Sequence, residues 1–571
     1  MSADELTRRE LLGTLGAAVS GLLLQPRTTR AEETTAAGGI SATGRQGMVV
    51  SVSRAASEVG LAVLKHGGSA VDASVATAFA LAVTFPEAGN LGGGGFMLVS
   101  RPGQSPLAFD YRETAPAAAT KTMFSRGETA LGHKAVGVPG TVRGLALAHQ
   151  RLGKLAWKDL VAPAVKLAAD GFELDGHNAD GLNRILGKSA DFVEFQRVYG
   201  QPKNRPWKTG DRLVQPDLAE TLRLIAEQGP DEFYTGKTAA RIVAEMRRGN
   251  GLITEEDLAG YKARERLPVQ GRYREFDVFG PPPPSSGGTC LVEMLNILEQ
   301  FDLRKRDRFS AETLHLMAEA MRRAYCDRAR YLADPDFVKI PPHLIDKDYA
   351  RELAATISRM EATPSEKLAP EIAIRNEGNS TTHFSVVDKD GWAVSNTYTL
   401  EESYGSRVVV RGGGFLLNNE MGDFNWFPGE TDRSGRIGTE PNQIEPGKRM
   451  LSSMTPTIVQ RDGKVVLVTG SPGGRTIINT VLCMLINVLE YGMPLRQAVD
   501  APRMHQQWFP DQISFEGTAK YSAAMERLQQ LGHKVRNVNK QGDAHTIGID
   551  PAAGAINGAA DTRLSGWAAG Y

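Results

Sequence analysis

Apolar and polar residues change rhythm along this chain, and each change marks an element. From residue 51 to 85 the apolar positions recur at helical spacing. One helix is expected from Ala55 to Lys65, stopped by Gly67-Gly68. A second is expected from Ala70 to Thr84, with Ser69 as its N-cap and Pro86 just beyond its end. Gly92-Gly93-Gly94-Gly95 then leads into Phe96-Met97-Leu98-Val99, a short apolar run that reads as a buried strand. The glycine run lacks the Lys-Ser/Thr that follows a phosphate loop, so it is read as a place where backbones approach closely. Residues 140–260 are mainly amphipathic helix. Gly280 to Gly288 is a turn-rich loop, and a long helix follows from Ala311 to Leu332 with Ser310 as cap. Residues 333–380 read as polar and irregular, ending in Asn376-Glu377-Gly378-Asn379-Ser380, the composition of an accessible, cleavable junction. A further helix is expected from Thr476 to Tyr491.

The rhythm becomes strand-like at Thr382. The run ends at Asp390-Gly391, and a second run follows from Trp392 to Leu400, a strong hairpin signal. Thr381 stands at its head. If the chain were cut between Ser380 and Thr381, Thr381 would carry a hydroxyl and a free α-amine. Such an amine titrates near roughly 7.7–8.0 and can serve as the general base for its own hydroxyl. A plain surface hairpin would also begin this way, so the motif does not decide by itself.

Composition narrows the function classes. Lys plus Arg is 66 and Asp plus Glu is 66, so no basic excess calls for nucleic acid or an anionic membrane. The three cysteines, Cys290, Cys326 and Cys483, are widely spaced, which fits neither a disulfide framework nor a zinc site. No metal or cofactor constellation is read. Thr7-Arg8-Arg9-Glu10-Leu11-Leu12, an apolar stretch to Leu24 and Thr29-Arg30-Ala31 look like a twin-arginine export signal over 1–31. That implies a periplasmic location, with a membrane-tethered N-terminus as the alternative.

Four ordered blocks, Thr381–Thr399, Leu416–Phe424, Leu451–Pro456 and Thr469–Gly474, resemble the γ-glutamyltranspeptidases (glutathione hydrolases), and the resemblance runs from about Ala42 to Tyr571. It implies an α/β fold, the N-terminal-nucleophile hydrolase α-β-β-α sandwich. One self-cleaved precursor would supply both parts, a large subunit (32–380) and a small subunit (381–571), forming a heterodimer around one core. It implies Thr381 as nucleophile, with Ser380-Thr381 as the cleaved bond. Thr399 would support the hydroxyl, although a strand threonine chosen for β-propensity looks the same. Arg112, within Phe109-Asp110-Tyr111-Arg112-Glu113-Thr114-Ala115-Pro116, would grip a substrate α-carboxylate with Ser452 and Ser453; a surface ion pair with Glu113 or Asp110 is the plain alternative. Glu401, Glu420 and Asp423 would face the α-ammonium; some members carry Asn at the position of Glu401 and Gln at that of Glu420, others Glu at both, and this chain has the acidic version. Gly473 and Gly474, just before a helix, would form the oxyanion hole. The loop from Gly429 to Pro446 has no aromatic, and Ser434 stands where a lid tyrosine occurs in other members. Thr439-Glu440-Pro441-Asn442 would order it.

The activity implied is hydrolysis or transfer of the γ-glutamyl group of glutathione and related amides, through a threonine ester, to water or to amino acid or peptide amines. Two alternatives remain at this point. A glutaryl or cephalosporin-type acylase would have no use for an acidic ammonium pocket, and a non-catalytic exported binding protein would keep the fold without cleavage.

Overall fold

The computed structural model describes residues 38–369, 375–376, 381–433 and 435–571. The export signal expected over 1–31, the junction residues Glu377 to Ser380 and the lid position Ser434 lie outside the described residues.

Two seven-stranded sheets form the centre. Reading across the first, the strands are Trp567–Gly570, Met48–Ser51, Thr382–Val387, Ala393–Thr399, Gly94–Ser100, Leu107–Asp110 and Arg264–Arg266, each antiparallel to its neighbour. The second runs Ser41–Gly44, Ala555–Ala559, Thr546–Asp550, Lys464–Thr469, Thr457–Arg461, Phe276–Gly280 and Val269–Tyr273, also antiparallel throughout. Both sheets interleave strands from before and after Thr381.

Side chains alternate faces along a strand. In the first sheet Val387, Leu98 and Met48 point at the second sheet and meet Ile458, Val468 and Ile547 there. Their neighbours Phe384, Val386, Val394 and Val99 point the other way, into a core shared with the helices Arg54–Lys65 and Ala70–Thr84. The outer face of the second sheet is covered by Gly287–Glu299, Ala311–Tyr331 and Thr476–Leu485. The result is the expected α-β-β-α sandwich.

Local signals explain where the helices begin. Ser53 accepts from the Ala56 N–H, Ser69 and Asp72 form a reciprocal capping box, and Ser310 accepts from the Thr313 N–H. Two expectations need correction. The stretch 333–380 is not irregular throughout, because Lys347–Ala355 is a helix. It packs against the core through Ala350 and Ala354, both buried, and the partly buried Tyr349 and Leu353, a stripe little more than one turn long. The helix from Thr476 is α-helical to Leu485 and then widens to a π-turn over Ile486–Glu490. No helix among the described residues is long and apolar enough to cross a membrane.

The glycine run is the tightest joint in the first sheet. A Cβ on Gly93 would sit 1.9 Å from the Thr399 carbonyl oxygen, and one on Gly95 would sit 2.4 Å from that of Thr397. A side chain there must push the Ala393–Thr399 strand away. Gly93→Ala is therefore expected to destabilise the protein by about 2–4 kcal/mol, whereas Gly260→Ala, with open space around it, should change stability by less than about 0.5 kcal/mol. Denaturant unfolding of the two variants checks this, and equal stabilities would refute the close-approach reading.

Candidate active site

Register brings the two threonines together. Thr382 pairs with Tyr398 in the antiparallel ladder, so the next pair outward is Thr381 with Thr399. Both lie on the face that Val387 and Ala393 turn toward the second sheet. The Thr399 hydroxyl donates to Thr381 Oγ1 across 3.4 Å, a long contact, and accepts the Glu401 N–H at 2.9 Å. Glu401 holds a left-handed backbone, φ +81°, which sharply turns the chain after the strand.

Deeper along the same face, polar groups replace apolar ones. Ser385 Oγ donates to the His545 carbonyl at 2.9 Å, and Ser395 Oγ to that of Thr469 at 2.9 Å. His383 is wholly buried, bonded to Thr397 Oγ1 and Ser385 Oγ, and burial together with nearby His545 pushes its pKa far down. It is a neutral spacer between the sheets and touches neither hollow described below.

Thr381 borders two hollows. The first is lined by Arg112, Thr399, Glu401, Asp423, Ser452, Ser453 and Gly474. Arg112 reaches it from the end of the Leu107–Asp110 strand and is fully buried, so it is not a surface residue. Its Nε donates to the Met450 carbonyl at 3.2 Å, and its backbone N–H to Asp110 Oδ1 at 3.0 Å. One terminal nitrogen donates to Asp423, which is partly open to the hollow. The other lies 2.6 Å from Glu420 and 3.5 Å from Glu113.

Glu420 departs from its expected place. It is completely buried behind Arg112 and does not line the hollow. Glu113 and Glu420 are close to Arg112 in distance but poorly aligned, and none of their four carboxyl oxygens finds a hydrogen bond. Burial raises both pKa values more than Arg112 lowers them, Glu113 to about 8 and Glu420 well above the usual carboxylate range. One guanidinium is shared among three carboxyls, and burial favours the protonated form of the inner two.

Two further arginines, Arg328 and Arg475, line the same hollow. Ser452 and Ser453 sit in a turn held by Ser286, whose N–H and hydroxyl both donate to the Ser452 carbonyl at 2.8 and 2.7 Å. Arg328, buried on the Ala311–Tyr331 helix, donates to Ser453 Oγ at 3.0 Å and Ser286 Oγ at 2.8 Å. Arg475 borders the same hollow beside Gly474. Neither arginine was foreseen. Arg328 lies mid-pattern in a charged helix, and only the fold reveals that it points inward. The segment after Gly429 contributes Ile437, Thr439 and Asn442 to the wall, with Asn442 Nδ2 donating to the Asp423 carbonyl at 2.7 Å. A lining that carries both acidic and basic side chains suits a small zwitterion.

Gly473 and Gly474 have φ of +125° and +52°, values that disfavour side chains. Their carbonyls accept from the Thr476 and Ile477 N–H groups at 3.0 and 3.1 Å, fixing the turn before the helix. Gly474 borders the first hollow and Gly473 the second, with Thr381 on both.

The Gamma-glutamyltranspeptidase family model matches residues 56–571. The chain is 46% identical over 536 residues to the glutathione hydrolase proenzyme of Escherichia coli (strain K12), covering 92% of each. Among solved structures, cephalosporin acylase from Bacillus halodurans superposes with a TM-score of 0.83 at 26% identity, over 96% of this chain and 99% of that one. Helicobacter pylori gamma-glutamyltranspeptidase superposes with a TM-score of 0.55 at 39% identity, over 56% of this chain and 93% of that one.

The buried carboxyls set a pH dependence. Unfolded, Glu113 loses its proton near its ordinary value of 4.5; folded, it keeps it to about 8. Between those values the folded state binds more protons, so stability falls as pH rises. Glu113→Gln cannot ionise and is expected to lose less melting temperature than the parent between about pH 5 and about pH 8. Thermal melts across that window decide it; parallel slopes for the two proteins would contradict a retained proton.

Proposed function

This chain belongs to the gamma-glutamyltranspeptidase family, and from that premise we propose that it is a γ-glutamyl hydrolase and transferase with Thr381 as its nucleophile. What supports the assignment of Thr381 most is its position: at the head of a strand, opposite Thr399, with the Gly473-Gly474 turn beside it and a hollow on either side.

In the precursor the Thr381 hydroxyl attacks the Ser380 carbonyl, the amide nitrogen leaves as the Thr381 α-amine, and water hydrolyses the resulting ester. The large subunit, to Ser380, and the small subunit, from Thr381, stay together as a heterodimer. The freed amine then accepts the hydroxyl proton as the oxygen attacks a γ-glutamyl carbonyl. Backbone N–H groups of Gly473 and Gly474 stabilise the oxyanion. Collapse expels the amine of the substrate, which takes up the proton, and leaves a γ-glutamyl ester on Thr381. Water or an acceptor amine resolves it, with Thr399 orienting the hydroxyl throughout.

Recognition uses the divided charge of the first hollow. The substrate α-carboxylate goes to Arg112, Ser452 and Ser453, with Arg328 holding the serine side. The α-ammonium goes to Asp423 and Glu401. Arg112 and Asp423 already contact each other, so a free amino acid end inserts between them and replaces one ion pair with two. Glu420 acts at one remove, filling the space behind Arg112. A glutaryl group has no ammonium to offer Asp423, which weighs against the acylase reading. Glutathione is the natural candidate donor, given the name of the Escherichia coli relative. The twin-arginine pattern supports export to the periplasm.

Purified protein is expected as two fragments, one beginning at Thr381, and Thr381→Ala as one uncut chain that turns over no γ-glutamyl anilide. Asp423→Ala should raise KM for γ-glutamyl anilide by roughly 10- to 100-fold, the worth of a charged hydrogen bond, and leave any glutaryl anilide rate little changed. N-terminal sequencing and steady-state kinetics test both. An uncut parent chain, or faster glutaryl than γ-glutamyl turnover, would sink the reading.

A further inference from the structure

The second hollow beside Thr381 has a chemistry of its own. Phe85, Ala88, Pro472 and Leu564 give it an apolar wall. Two charged side chains border it, Glu87 and Lys540. Glu87 is already engaged: Oε1 accepts from Ser403 Oγ at 2.7 Å, and Oε2 lies 2.7 Å from His177 Nε2. Burial opposes the charge on each, but the pairing wins, holding Glu87 below the ordinary carboxylate range and His177 above its own. The His177 ring also stacks on Phe85, with centroids 5.9 Å apart, so the pair is locked into the wall. Lys540 differs. It is exposed, its Nζ donates to the Arg563 carbonyl at 2.7 Å, a neutral partner that leaves two N–H bonds to offer, and it makes no ion pair among the described residues.

The geometry of acyl transfer decides what this hollow receives. A γ-carbonyl carbon carries two substituents, the chain leading to the α-carbon and the amide nitrogen. With the α-end in the first hollow, the nitrogen side projects from Thr381 into the other. Gly473, on the rim of the second, and Gly474, on the rim of the first, place the oxyanion turn at the boundary between the two. Leaving amine and incoming amine occupy the same side, because the second step reverses the direction of the first.

Resting on the γ-glutamyl reading, we propose that the second hollow is the subsite for the nitrogen-bearing partner, an amino acid or short peptide, and that Lys540 selects those with a free carboxylate. The apolar wall takes the partner's side chain. The closed Glu87–His177 pair shapes the wall and makes no ion pair with the ligand. Lys540 is thus a specificity residue for leaving group and acceptor alike, separate from the set that reads the γ-glutamyl end.

Three donors test this in hydrolysis: glutathione, glutathione with its glycine carboxylate converted to the amide, and γ-glutamyl-p-nitroanilide, whose leaving group has no carboxylate. The parent is expected to prefer glutathione to its amide. Lys540→Met should lower the glutathione-to-anilide ratio of kcat/KM by roughly three- to tenfold, the range for a partly exposed charged contact, and erase the preference over the amide. Lys540→Arg should restore most of it. A parent that does not distinguish glutathione from its amide, or a Lys540→Met variant that still does, would overturn the subsite. Absence of turnover of all three donors by the cleaved parent would instead overturn the γ-glutamyl reading on which it rests.

Discussion

One pairing register carries this molecule. Thr382 against Tyr398 puts Thr381 against Thr399, and a slip of one residue between the strands would put the two hydroxyls on opposite faces. Hydrogen bonds alone do not fix that register, since a ladder can form in several. It is fixed by what each face must meet: Phe384 and Val386 need the helical core, while Val387 and Ala393 need the second sheet. The glycines on the neighbouring strand then let the backbone of Gly93 approach the Thr399 carbonyl more closely than any side chain permits. Apolar packing at one end of the strand thereby aims the chemistry at the other.

Charge around Arg112 follows a second constraint. A buried guanidinium needs compensation, but more carboxyls than it can ionise surround it. The excess is resolved by depth. Glu113 and Glu420, wholly buried, are pushed toward neutrality, and Asp423 stands at the edge where solvent reaches it. The cluster is therefore poised near electrical balance before any ligand arrives. A ligand that brings both a positive and a negative group disturbs that balance least.

The chain itself revealed the hairpin, the helix caps, the close-packed glycines and the polar blocks, because each is a short-range signal. Ser69 with Asp72 is readable within four positions, and Asp390-Gly391 within two. What stayed hidden depends on contacts between distant segments. Arg328 meets Ser453 across 125 positions, and Glu87 meets Ser403 across 316. Nothing in a helical charge pattern says which arginine turns inward. Glu420 shows the reverse error: its neighbourhood with Asp423 was visible, but its depth was not. The helix Lys347–Ala355 was missed because its apolar side chains, Tyr349, Ala350, Leu353 and Ala354, span little more than one turn in a polar stretch.

Strands from before and after Thr381 are hydrogen-bonded side by side in both sheets. If the bond ahead of Thr381 is cut as proposed, the two parts still share both sheets and the core between them. Such a cut would remove the covalent link that keeps their effective concentration high during folding. A denatured mature protein would have to reassemble by a bimolecular search, with unpaired strand edges exposed meanwhile. Its durability is then kinetic, set by the height of the unfolding barrier and not by a reversible equilibrium. The native architecture would then be, in effect, a record of a precursor that can be written once.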